Sequence, residues 1–112
     1  MNARSRQARQ TIRNRTRTQR ANTRITRRGN GSLTTHCLAA GLTPKEARTV
    51  ASSLRKAAAK LGIQGTTART HAAGRMRTCT RYTRAQVAQA AVVYQPRKDV
   101  YKIAANRLAL AA

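Results

Sequence analysis

Hydrophobic and polar positions divide the chain into a stretch with no apolar pattern and a remainder that has a clear one. From Met1 to Asn30 the only large aliphatics besides Met1 are Ile12 and Ile25, thirteen positions apart. Such a segment offers nothing to bury, and its like charges repel, so by itself it is expected to be disordered. Arg28-Gly29-Asn30-Gly31-Ser32 reads as a hinge, which sets residues 1–31 apart as an arm and residues 32–112 as a small domain.

After the hinge, Ser32 is placed to cap a short helix, Leu33 to Ala40, that ends at Gly41. Thr43-Pro44-Lys45-Glu46 then combines a capping threonine, proline at the first helical position and glutamate three residues past the cap. Ala47, Val50, Ala51, Leu54, Ala58 and Leu61 follow at helical spacing, and Gly62 closes the helix. From Gly65 to Tyr82 the period changes to two. Thr66–His71 and Arg75–Tyr82, with Ala72-Ala73-Gly74 between them, predict a β-hairpin. In its second strand Met76, Thr78, Thr80 and Tyr82 share one face, and Arg75, Arg77, Cys79 and Arg81 the other. Thr83 with Gln86 forms a second capping box for a helix to about Tyr94, with Val87, Ala88 and Ala91 inward. Pro96 is expected to open a last helix with Val100, Ile103, Ala104 and Leu108 as its apolar stripe. The fold class is therefore α+β, in the order arm-α-α-ββ-α-α, with alanine-rich helices that pack closely but bury little area per residue.

Charge changes the picture more than any pattern does. The 112 residues hold 24 Lys and Arg against 2 Asp and Glu, a formal net charge of +22. Solubility asks only for a net charge of roughly 2–8, so this excess implies a polyanionic partner, nucleic acid foremost. Ten of the basic residues stand in the arm: Arg4, Arg6, Arg9, Arg13, Arg15, Arg17, Arg20, Arg24, Arg27 and Arg28. Arg6, Arg9, Arg13, Arg17, Arg20, Arg24 and Arg27 step by three or four, as on one helix face, while Arg13, Arg15 and Arg17 step by two, as on an extended chain. Arginine presents a planar fork that grips phosphate in two-pronged fashion. The remaining candidate contacts are Arg48, Arg55, Lys56 and Lys60 on the helix after Pro44, and Arg75, Arg77 and Arg81 on the hairpin.

The same composition argues against catalysis and cofactors. Glu46 and Asp99 are the only carboxylates, fifty-three residues apart, whereas magnesium-dependent phosphoryl chemistry and paired-acid hydrolysis each need acids together. His36, Cys37, His71 and Cys79 lack the close pairs of a zinc site. Cys37 reads as a small core residue, and Cys79 as a thiol on a basic strand. With no Trp or Phe and three tyrosines, base stacking along a single strand is poorly served, so a duplex or a folded RNA fits better. No run is apolar enough to span a bilayer. The acid-free, arginine-rich start shares composition with a mitochondrial presequence but lacks the apolar face such a segment needs.

Tyr82-Thr83-Arg84-Ala85-Gln86-Val87 and Tyr94-Gln95-Pro96-Arg97-Lys98 are similar to small Arg/Ala/Thr-rich proteins encoded by phages of actinobacteria. The likeness covers about thirty residues and implies a phage product acting on nucleic acid or on a host nucleoprotein machine, in the bacterial cytoplasm or in a virion. It brings no functional residue with it. Three readings share the same charges: a non-enzymatic nucleic-acid-binding protein, an inhibitor of a host nucleoprotein enzyme of anti-defence type, and a structural ribosome or virion component. The first is the leading expectation.

Overall fold

A computed structural model describes the chain from Ala3 to Ala111 except Ala73, and the side chains of all these residues but Thr70, His71 and Ala72. Five helices and one hairpin follow in order: α1 (Ala3–Arg28), α2 (Leu33–Ala39), α3 (Pro44–Leu61), β1 (Thr66–Ala72), β2 (Arg75–Arg81), α4 (Arg84–Val93) and α5 (Asp99–Leu110). The α+β class and the element order after the hinge are as the sequence predicts. No helix among the described residues is long and apolar enough to cross a membrane.

The arm is where expectation and structure part. It forms one 26-residue helix, and Ala21 and Ile25 are buried at 1% and 2% exposure. Two forces favour order. Arginine, alanine and glutamine are good helix formers, and the second half of the helix packs against α2. Asn22 fastens it there by donating to the Ala39 carbonyl at 3.2 Å. The arm therefore adds to the core, which its two isolated isoleucines did not suggest.

Both expected capping boxes form. Thr43 Oγ1 accepts from the Glu46 amide while Glu46 Oε1 accepts from the Thr43 amide, and Thr83 and Gln86 exchange the same bonds. Along α3 Ala47, Val50, Ala51, Leu54, Ala57 and Ala58 are buried. Leu61, expected with them, is 47% exposed, because Gly62 turns the chain away in the left-handed conformation at φ 70°. In α5 the start lies at Asp99 instead of Pro96, with Lys98 as its cap residue. An acid suits the positive end of a helix and the Arg97-Lys98 pair does not. Val100 and Ile103, expected inward, are 49% and 53% exposed; Ala104, Ala105 and Leu108 form the buried seam instead. α4 is the main helix packed on α5, so only a narrow strip of α5 is covered.

The helices contact one another in chain order, and α2 sits between α1 and α3. Leu33, Cys37, Leu42, Val50, Leu54, Tyr82 and Val87 lie in one buried cluster. The hairpin is antiparallel, with Thr66 opposite Arg81 and Ala72 opposite Arg75, and it stands away from the helices along most of its length. Its base is fixed. Gly31 and Tyr82 exchange backbone hydrogen bonds of 3.0 and 2.8 Å, and a side chain at Gly65 would meet the Arg81 carbonyl at 2.6 Å.

His36 completes that base. It is 2% exposed, with Nε2 2.7 Å from the Tyr82 carbonyl; a carbonyl only accepts, so Nε2 carries the proton. Burial, and then the Arg84 charge, hold its pKa below the ordinary 6.5 against the favourable backbone bonds. A folded-state value below the unfolded one means that stability is complete above about pH 6.5 and declines as pH falls toward the folded value. Urea melts at pH 7.5, 6 and 5 should show this decline, and His36→Gln should flatten it. An unchanged slope in the variant would assign the decline to another group.

Candidate nucleic-acid interface

At 3.6 residues per turn, Arg6, Arg9, Arg13, Arg17, Arg20, Arg24, Arg27 and Arg28 fall within an arc of about 100° on α1. Arg4 and Arg15 stand outside it, and the Ala21–Ile25 seam lies to one side. The stripe from Arg6 to Arg27 runs for roughly 32 Å, close to one turn of duplex at about 34 Å. The seven-arginine spacing legible in the sequence is thus realised on a helix face. The spacing of two between Arg13, Arg15 and Arg17 has no strand to act on.

The stripe has two halves. Ala3 to Arg13 is exposed at every position, while Asn14, Thr16, Arg17 and Thr18 are half-buried. Arg13, Arg17, Arg20 and Arg24 line one wall of a groove of about 510 Å³ that also takes in Ile12, Thr16, Ala21 and Leu38. Threonine is a weak helix former, but the hydroxyls of Thr11 and Thr23 donate to the carbonyls of Gln7 and Gln19, each at 2.9 Å, and so satisfy themselves on the helix. Arg17 donates to Asn14 Oδ1 at 3.1 Å, which orients its guanidinium at the rim of the groove.

The other predicted contacts do not join this stripe. Arg48, Arg55, Lys56 and Lys60 are exposed on α3, and α2 lies between α3 and α1. Arg75 and Arg77 are exposed and Arg81 is half-buried; the register puts all three on one face of β2 with Cys79. Arg55 alone among the α3 residues shares a cleft with the hairpin base, beside Thr78, Cys79 and Thr80. Arg69, which sequence reasoning left out, pairs with Thr78 and so belongs to the opposite face. Arg84 and Arg107 were also left out. They sit where α1, α2, α4 and α5 converge, and only contacts distant in sequence could have revealed them.

Potentially reactive side chains are scattered among the described residues. Burial pushes the Cys37 thiol up to about 12, which leaves it un-ionised and inert. Cys79 is half-buried and free. Glu46 is engaged in the α3 cap. Among the described residues no three of His, Cys, Asp and Glu gather as metal ligands; the His71 side chain lies outside the described residues. Tyr82 is buried, and Tyr94 and Tyr101 are half-buried against the core. No protein family, curated protein or solved structure matches the chain.

Proposed function

We infer that the protein is a non-enzymatic nucleic-acid-binding protein that uses α1 as an arginine rail along a phosphate backbone. One observation carries this reading: eight arginines share one face of a helix whose neighbouring face is fastened to the domain through Ala21, Asn22 and Ile25. A helix with its side chains is about 10–12 Å across, which matches a major groove of about 12 Å. The exposed half, Ala3 to Arg13, can enter such a groove while the docked half follows the rim. Arg75, Arg77 and the α3 residues Arg48, Arg55, Lys56 and Lys60 supply further contacts to phosphate. Tyrosines engaged in packing offer no free platform for stacked bases, which favours a duplex or a folded RNA over a single strand. Nucleic acid in the bacterial cytoplasm or in a virion is the setting that suits such a protein.

The test is a pair of charge-matched variants titrated against a labelled duplex and a folded RNA. Replacing Arg13, Arg17, Arg20 and Arg24 by glutamine should weaken binding by roughly a hundredfold or more, and should lower the salt slope by about 3.6 if each contact neutralises one phosphate of a duplex. Replacing Lys45, Arg48, Lys56 and Lys60 by glutamine removes the same charge from α3 and should cost less. Equal losses would mean a diffuse polycation with no rail. No binding by the unaltered protein would end the reading and direct attention to a nucleoprotein partner.

A further inference from the structure

A cavity lined by two arginines lies in the helical body, apart from the stripe. Where α1, α2, α4 and α5 meet, a cavity of about 80 Å³ is lined by the apolar Ile25, Val87 and Leu108 and by the polar Asn22, His36, Arg84 and Arg107. We propose that this cavity binds one phosphoryl group.

The first support is charge that no acidic side chain among the described residues offsets. Arg84 and Arg107 line the same small space, and the two acidic side chains are elsewhere. Glu46 is engaged in the α3 cap, and Asp99 lies eight residues from Arg107, about 12 Å along α5. Two guanidinium groups that line one small cavity repel each other, and an anion between them relieves that repulsion. The second support is orientation. Arg84 donates to Asn22 Oδ1 at 3.3 Å and Arg107 to the Ala40 carbonyl at 2.9 Å. Each contact engages one of the five N–H donors of its guanidinium and leaves others for a ligand. Gly41, at φ 99°, makes the room Arg107 occupies, since a Cβ there would lie 2.9 Å from its nitrogen.

Size chooses the ligand class. The cavity exceeds the roughly 10–15 Å³ that one water requires and falls far below the 300–1,000 Å³ of a site for a drug-sized molecule. A phosphoryl group fits, and a nucleoside must stay outside. Its three oxygens suit two arginine forks better than the two of a carboxylate do, while the Asn22 amide, which donates to the Thr18 and Ala39 carbonyls, only orients Arg84. The group has two sources: free phosphate or a small phosphomonoester, and the 5′-phosphate at the end of a nucleic acid.

Isothermal calorimetry of the full chain with inorganic phosphate, against chloride at fixed ionic strength, tests the site. One saturable site is expected. Arg84→Gln with Arg107→Gln should weaken it by roughly tenfold or more. Arg13→Gln with Arg17→Gln, equal in net charge, should leave it intact. Equal weakening in the two pairs, or no saturable heat, overturns the proposal. Should circular dichroism show the first pair unfolded, the His36 ring decides in the unaltered protein. Bound phosphate beside it must raise its titration midpoint by nuclear magnetic resonance, and an unmoved midpoint overturns the site. Two versions of one short duplex, with 5′-phosphate and with 5′-hydroxyl, then separate the sources. A preference for the phosphate end that the Arg84/Arg107 pair abolishes identifies the polymer end; binding of inorganic phosphate without such a preference identifies the free ligand. Failure here leaves the rail standing, because the Arg13/Arg17 pair and the Arg84/Arg107 pair report on different surfaces.

Discussion

Affinity for a duplex is expected to fall by roughly a thousandfold or more between 50 and 200 mM salt. Each arginine that meets a phosphate releases a condensed counterion, and the release is worth less as the bulk salt rises. The α1 stripe alone offers eight arginines, and Arg75 and Arg77 on the exposed hairpin add two. If most engage, the number of neutralised phosphates falls at about 6–10, the range in which losses of this size arise. The chain has almost nothing to moderate the effect, since only two acids oppose 24 basic residues. A labelled duplex titrated at four or five salt concentrations gives the slope directly. A flat response would sink the rail, because burial of apolar surface against a protein partner does not weaken with salt in this way.

How much of this was legible in the sequence depends on whether the signal was local. The α3 and α4 starts were readable because a capping box is written within four residues, Thr43 to Glu46 and Thr83 to Gln86. The hairpin was readable from its period of two and from Gly74, whose φ of 74° suits the turn. By contrast, α1 owes part of its order to a tertiary contact made by Ala21 and Ile25, and two side chains four residues apart are too weak a pattern to announce a helix. α5 shows the opposite error. Val100 and Ile103 are strongly apolar and keep helical spacing, yet they are half exposed because, among the described residues, α4 covers only the other side of α5.

The interface divides along the same line. Arginines three and four apart name a face as soon as the segment is helical, so seven of the eight stripe arginines are legible in the sequence. Nothing in the sequence joins Asn22 to Arg84 or Ala40 to Arg107, pairs that are 62 and 67 residues apart. Their proximity follows from helix packing, and a basic composition hides it, since any two arginines here have many others around them.

Two truncations should behave differently, and the difference measures how far the arm belongs to the fold. Removing residues 1–13 takes away the half of α1 that is exposed at every position. The shortened chain should stay folded, with a melting temperature close to that of the whole, and should bind nucleic acid more weakly for want of Arg4, Arg6, Arg9 and Arg13. Removing residues 1–30 also takes Ala21 and Ile25 from the α2 interface, together with the Asn22 bonds to Ala39 and Arg84. Emptying one buried aliphatic site costs about 2–5 kcal/mol, a large share of the 5–15 kcal/mol that holds a small domain. The melting temperature should then drop by roughly 10 °C or more. Ile25→Ala in the full chain isolates the anchor and should reproduce much of the drop with every arginine in place. If the longer truncation melts like the intact protein, α1 rests on the domain without supporting it, and the rail is a helix only when nucleic acid holds it.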